Sequence, residues 1–336
     1  MVKVGIVGAR GYTAGELLRY LVRHPEVEIV AVVSRKDQGE CISNTHPWLR
    51  GQLDLPISAE DPTELAGKCD CVFSCLPHTA SAEYVGQLLS HGTRVIDFSA
   101  DFRLNDLETY EHWYQVKHPY PALVGQTVYG LPELFRDQIR DAQLVANPGC
   151  FPTSAILPLA PLIRAGMIEP EGIIVDSKTG VSGAGRKADE AFSYCEVNES
   201  ISAYKIGSHR HMPEIEQIIS RATSKAIQVI FTPHLTPMNR GILSTIYAVP
   251  TPTSHLNDWV ECLKQQYQDE PFVDVVDHVP RSGEVQYTNR CVISVNRSRD
   301  RVVIVSCIDN LVKGASGAAV QNMNLMYGFP ETQALG

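Results

Sequence analysis

The run VKVGIVGARGYTAGELLRYLVRHPEVEIVAVVSR, residues 2–35, carries a strand, a glycine-rich turn, a helix and a second strand. Residues 2–8 are a short apolar run closed by glycine, the mark of a strand buried on both faces. Leu17, Leu18, Leu21 and Val22 then share one face of a helix that Pro25 ends. Residues 27–35 form the next apolar run. Strand, helix and strand in that order make a βαβ unit, whose strands lie parallel.

Further apolar runs stand at 70–77, 94–99 and 142–148, with a helical stretch at 80–91 between the first two. Strands alternating with helices predict an α/β fold, a Rossmann-type doubly wound parallel sheet. Residues 104–131, rich in Tyr, His and Pro, read as an irregular surface segment. After Cys150 the texture changes. Apolar runs at 172–180, 227–235, 242–250, 290–298 and 301–310 follow with fewer helices between them, which predicts an α+β domain with a mixed or antiparallel sheet. Residues 315–327 read as a helix returning to the first domain. The expected division is 1–149, completed by 314–336, and 150–313.

Composition narrows the function classes. A net charge of −9 over 336 residues argues against a nucleic-acid binder. No apolar run reaches the ~20 residues needed to cross a bilayer. The first strand begins at Val2, leaving no room for a signal peptide, so a cytoplasmic protein is expected. Nine cysteines, an odd number, fit thiols better than a disulfide framework.

The turn after the first strand spaces its glycines as Gly8, Gly11 and Gly15. Small residues there let backbone N–H groups meet a pyrophosphate at the helix N-terminus, and Arg10, Tyr12 and Thr13 lie in the same cradle. An ordinary glycine-rich turn is the plainer alternative. At the tip of the second strand, where an NAD site places Asp or Glu, stand Ser34 and Arg35. A cation there favours the 2′-phosphate of NADP(H), unless Arg35 and Lys36 are merely solvated.

In NPGCFPTS, residues 147–154, Cys150 sits between a Pro-Gly turn and a helix start. A helix N-terminus favours the thiolate and can stabilise an oxyanion. Cys150 is therefore the candidate nucleophile, with a structural turn cysteine as the alternative. The other cysteines read chiefly as core residues. Cys69, Cys71 and Cys75 have the even spacing of one strand face, and packing explains them better than coordination. Pro158 and Pro161 read as interruptions or kinks of the helix after Cys150. SHRHMPEIEQII, residues 208–219, supplies His209, His211 and Glu214, the materials of a general acid/base with an orienting carboxylate. No further Cys/His pair completes a zinc set, so no metal is expected. Arg103, Arg186, Arg210 and Arg240 beside motif-like stretches suggest an anionic small substrate.

Taken together these stretches resemble the N-acetyl-γ-glutamyl-phosphate reductase family of the semialdehyde dehydrogenase superfamily. GARGYTAGEL, CLPH, DFSADFRL, YGLPEL, NPGCFPTS, SGAGR, HRHMPEI, PHLTPMNRGIL and DNLVKGASGAAVQNMN occur in the family's order over almost the whole chain. The resemblance implies an NADPH-dependent reductive dephosphorylation of N-acetyl-L-glutamyl 5-phosphate to the 5-semialdehyde, in arginine biosynthesis. The route passes through a Cys150 thioester and releases inorganic phosphate. It implies His209 as acid/base oriented by Glu214, with His211 as the alternative. It also implies Arg103, Arg186, His211 and Arg240 around the substrate. Pro77, Ser182, Gly183 and Asn310 join the cofactor residues, and a homodimer or homotetramer is expected.

Two departures stand out: Ala14-Gly15 where the family reads Gly-Ala, and Ser154 where Gly or Ala is commoner. A lysine-pathway reductase of a carrier-bound aminoadipyl phosphate would show nearly the same motifs. A non-catalytic NADP-binding protein would need neither Cys150 nor His209. Aspartate-semialdehyde dehydrogenases frame their cysteine as Asn-Cys-Ser/Thr, unlike Asn147-Pro148-Gly149-Cys150.

Overall fold

In the computed structural model, which describes residues 1–186 and 188–336, the opening apolar run becomes β1 (Val2–Val7) and its successor β2 (Val27–Val33). Between them the helix Tyr12–Leu21 buries Leu17, Leu18 and Leu21. β3 (Ile57–Ser58), β4 (Cys71–Ser74), β5 (Arg94–Asp97), β6 (Val128–Tyr129) and β7 (Leu144–Ala146) complete a sheet ordered β3-β2-β1-β4-β5-β7-β6. Each pairing in it is parallel. The strand order reverses between β1 and β4, and a crevice opens there at the carboxyl ends of the strands. Contacts group Met1–Pro148 with Ala315–Gly336 as one unit and Gly149–Gly314 as the other.

Residues 104–131 are not the irregular surface segment expected. They hold the helix Leu107–Tyr114, capped by the Asp106 carboxylate on the Thr109 N–H at 2.7 Å, and the edge strand β6. Tyr110 and Tyr114 are buried and stack at 4.9 Å, and the Tyr110 hydroxyl donates to buried Asp101. The rings supply the apolar area and the hydroxyl finds a partner, so a tyrosine-rich stretch packs inward.

The second unit carries a mixed sheet, as expected. Its strands are β8 (Ile173–Thr179), β9 (Ser202–Ala203), β10 (Val229–Leu235), β11 (Ile242–Ala248), β12 (Val273–Val275), β13 (Cys291–Ser298) and β14 (Arg301–Ile308). They are ordered β12-β13-β14-β11-β8-β10-β9. β8–β10 and β12–β13 run parallel and the remaining pairs antiparallel. The helices Cys150–Arg164, His211–Thr223 and Leu256–Tyr267 pack against this sheet. Its strands alternate: Ile173, Val175, Ile246 and Ala248 are buried, whereas Ile174, Ile230 and Tyr247 are exposed.

Pro158 and Pro161 do not interrupt the helix after Cys150, which runs as one element from Cys150 to Arg164. Pro161 has no N–H for the Leu157 carbonyl, and the buried Tyr267 hydroxyl donates to that oxygen instead. The cysteines also differ from expectation. Cys69, Cys71, Cys291 and Cys307 are buried, Cys195 is exposed, and the other four lie between. Of the evenly spaced trio only Cys71 lies on β4. Burial pushes the thiols of Cys69 and Cys71 up to about 12, which keeps them protonated and inert.

In the first unit the helix Gly317–Met326 is buried along its whole length. Asn322 Nδ2 donates to the Gly130 carbonyl at 2.9 Å and Asn324 Oδ1 lies 2.9 Å from His24 Nε2. Polar side chains on a buried helix are tolerated because each finds a partner.

Candidate active site

At the crevice of the first unit a cavity of about 500 Å³ is lined by Gly8, Ser34, Arg35, Pro77 and Ala80, with Glu60 and Asp61 on its wall. Gly8 has φ +78°, and a Cβ there would stand 2.5 Å from the Cys75 carbonyl oxygen, so only glycine fits. The N–H groups of Gly8 and Ala9 both donate to the Val33 carbonyl, fixing the turn to the end of β2. Gly11 is the N-cap of the helix that begins at Tyr12, and among the described residues no side chain caps it. The first-turn N–H groups around Tyr12 and Thr13 are thus presented as an anion cradle. Arg10 is held by Asp37 at 2.6 Å. Arg35 is exposed at the rim, and Ser34 Oγ accepts from the Lys36 N–H at 3.2 Å. A glycine cradle, an uncapped helix end and a rim cation suit a dinucleotide carrying a 2′-phosphate.

The displaced glycine has a physical reason. A Cβ at Gly15 would lie 2.7 Å from the His46 ring, whose Nε2 meets the Ala9 carbonyl at 2.8 Å. Gly15 therefore admits the imidazole that holds the cradle, while Ala14 is fully buried. Sequence spacing gave no sign of His46, because its partner is a backbone oxygen 37 residues away.

In the second unit Cys150 is the first residue of its helix, half-buried, with Gly149 as an N-cap in extended conformation. Glu214, 1% exposed, accepts from the Gly149 N–H at 2.8 Å. This bond fixes the cysteine turn itself, a role its sequence position did not suggest. His209 is held from another side: its Nδ1 accepts the His211 N–H at 3.1 Å, at the start of the helix His211–Thr223. Four rings stand around it, Phe151 at 5.5 Å, Phe231 at 5.2 Å, Tyr204 at 5.6 Å and His211 at 4.9 Å. Burial, with Lys205 and Arg210 adding to it, pushes His209 down to about 4. Burial first, and the charge of Cys150 second, push Tyr204 up. Tyr204 thus belongs with Cys150 and His209, and no spacing pattern pointed to it. Ser154, one turn beyond Cys150, bonds Ser244 Oγ of β11 at 2.8 Å and ties the helix to the sheet.

Asn310, Ser182 and Gly183 come together. Asn310 Nδ2 donates to Ser182 Oγ at 3.0 Å, its Oδ1 accepts the Gly241 N–H at 2.7 Å, and a Cβ on Gly183 would lie 3.7 Å from Asn310 Nδ2. The arginines are more dispersed. Arg240 is buried and paired with Asp309, its Nε 2.8 Å from Oδ2 and its Nη2 3.1 Å from Oδ1, with the Tyr287 ring 4.2 Å away. Arg103 is buried in the first unit and donates from Nη2 to the Phe98 carbonyl at 2.7 Å. Both also have partners within the protein. Arg186 is exposed. Among the described residues no group of three or more His, Cys, Asp or Glu side chains could hold a metal ion.

Two family models cover the chain: semialdehyde dehydrogenase, NAD binding domain, over residues 3–142, and semialdehyde dehydrogenase, dimerisation domain, over residues 150–310. An N-acetyl-gamma-glutamyl-phosphate reductase of Rhodopirellula baltica is 55% identical over 99% of this chain and 98% of its own. The chain belongs to the N-acetyl-gamma-glutamyl-phosphate reductases. A second member of this semialdehyde dehydrogenase family, from Citrifermentans bemidjiense, is 49% identical over 100% of this chain and 98% of its own. Among solved structures, aspartate semialdehyde dehydrogenase II of Vibrio cholerae superposes with a TM-score of 0.74 at 17% identity, covering 98% of this chain and 99% of that one. At that identity the likeness bears on the fold alone.

Proposed function

We propose that this reductase-family chain converts N-acetyl-L-glutamyl 5-phosphate to N-acetyl-L-glutamate 5-semialdehyde with NADPH, in arginine biosynthesis. The observation that carries the reading is Cys150 at a helix N-terminus that no side chain caps among the described residues, with its turn fixed by Glu214 and the ring of His209 against Phe151 and Tyr204. Cys150 Sγ attacks the acyl carbon, the bond from that carbon to the phosphate oxygen breaks, and inorganic phosphate leaves. A thioester remains. Residues 8–13 with Ser34 and Arg35 would hold NADPH, which would supply the hydride that reduces this thioester. When the resulting thiohemiacetal collapses, the carbon–sulfur bond breaks and the Cys150 thiolate is restored.

Because Nδ1 of His209 accepts a backbone N–H, its proton sits on Nε2. His209 therefore gives a hydrogen bond to the reacting oxygen, and the helix N-terminus favours the thiolate. The test runs the reaction backward, with the semialdehyde, inorganic phosphate and NADP, following NADPH formation. Phosphate-dependent NADPH formation is expected; none with this aldehyde, but turnover of a carrier-bound aminoadipate semialdehyde, would assign the other substrate.

The rim cation carries the choice of cofactor. Arg35→Asp is expected to weaken NADPH binding about tenfold or more, the worth of one charge-assisted contact, with a smaller effect on NADH. Equal losses for both, read by fluorescence titration, would remove the 2′-phosphate contact. The exposed Ile174, Ile230 and Tyr247 of the second sheet support self-association. A single-chain mass in sedimentation would overturn that. No helix among the described residues is long and apolar enough to cross a membrane. With nine cysteines and no disulfide, the chain suits a reducing cytoplasm.

A further inference from the structure

We propose that Asp309 is a positioning residue for the Cys150 nucleophile, acting through the backbone of Gly314. The inference rests on the reading of Cys150 as the reactive thiol. Asp309 is fully buried, and its carboxylate takes four hydrogen bonds and a further ion-pair contact. Oδ1 takes Arg240 Nη2 at 3.1 Å, Leu311 N at 2.8 Å and Val312 N at 3.2 Å. Oδ2 takes the Tyr287 N–H at 2.7 Å and lies 2.8 Å from Arg240 Nε. A carboxylate so fully engaged fixes the chain on both of its sides.

The consequence appears five residues on. The Asp309 carbonyl accepts the Gly314 N–H at 2.9 Å, which opens the π-helical turn Val312–Ser316. Such turns are rare and need outside support, and they recur at functional sites. Here the turn lays Gly314 against the nucleophile. A Cβ on Gly314 would stand 2.7 Å from Cys150 Cβ and 3.2 Å from its Cα. Gly314 is not in the left-handed region, so its lack of a side chain serves the contact with Cys150 and not a turn. Asn310, bonded to Gly241 and Ser182, anchors the same strand end. Cys150 is thus held on one flank by Gly149, which Glu214 fixes, and on the other by Gly314, which Asp309 fixes.

The experiment follows alkylation of Cys150 by iodoacetamide against pH in the full chain, resolved by peptide mass, with exposed Cys195 as internal reference. Asp309→Asn keeps an oxygen for the Leu311 and Val312 N–H groups but turns an amide NH2 toward the Tyr287 N–H and removes the charge facing Arg240, so the anchor loosens. Gly314→Ala pushes on Cys150 directly and leaves the ion pair intact. Both are expected to shift the pH midpoint of Cys150 alkylation and to lower kcat about 10- to 100-fold, the scale of an ångström-sized misplacement. KM for NADPH and the Cys195 rate should stay at wild-type values. A folded Asp309→Asn with wild-type Cys150 alkylation and kcat overturns the proposal. If Asp309→Asn does not fold, an unchanged Cys150 profile in Gly314→Ala overturns it. Because alkylation needs no substrate, shifted midpoints in a chain inactive on the semialdehyde would uphold the positioning and reject the assigned substrate instead.

Discussion

Cys150→Ala is expected to abolish phosphate-dependent NADPH formation, with a loss of about 10⁴-fold or more, while cofactor binding and fold survive. The size follows from the chemistry: a covalent route without its nucleophile keeps only what binding and oxyanion donors provide. Survival of the fold follows from the local structure. Alanine is a good residue for a helix start, and it keeps the Cβ that packs on Gly314. The Gly149 N–H still meets Glu214, since that bond uses no atom of the side chain removed. On the proposed reading, NADPH affinity rests on residues 8–13, Ser34 and Arg35, none of which the substitution touches. Equilibrium titration with NADPH and steady-state rates on one preparation separate the two effects. Turnover above ~1% of wild type would exclude the thiol as nucleophile, and lost NADPH affinity would mean that the substitution had spread beyond the site.

The outline of the fold was legible because its strands are long apolar runs bounded by Gly and Pro. β3 and β6 were not, since two residues, Ile57–Ser58 and Val128–Tyr129, are too few to show a period. The helix Leu107–Tyr114 was hidden by its own tyrosines, whose burial depends on Asp101 and on ring stacking that no local rule contains. At the site the reactive types could be named but their partners could not. Glu214 and the histidines lie within six residues of one another, which suggests a side-chain pair. Glu214 also reaches a backbone N–H 65 residues earlier in the chain, which no local pattern shows. Arg240 and Asp309 are 69 residues apart, so no local pattern shows that this cation has a carboxylate partner. Gly314 carried no signal at all beyond being glycine. Its meaning is a distance to Cys150.

His209 bears the second large prediction, and its sign is fixed by one hydrogen bond. Charging the ring requires a proton on Nδ1, which accepts the His211 N–H, so the charged form loses that bond as well as its hydration. Burial, with Lys205 and Arg210, takes the group from 6.5 down to about 4. Between those values the unfolded chain binds more protons than the folded one. The contribution of His209 to stability should therefore be level above pH 6.5, fall as pH drops through the interval, and level again below about 4. His209→Asn separates this from other titrations, because the asparagine oxygen can take the place of Nδ1 while Nε2–H and the titration are both removed. Urea midpoints at about pH 7 and about pH 5 should draw closer together in the variant than in wild type. If His209 acts as proposed, the same substitution removes the donor to the reacting oxygen, and kcat should fall about 10²- to 10³-fold with little change in NADPH affinity. A ring kept neutral by its own backbone cannot produce an acid limb near 6.5 in kcat. If such a limb is measured in wild type and vanishes in His209→Asn, Nδ1 is not the acceptor in the working enzyme, and His209 must act by taking up a proton instead of presenting one.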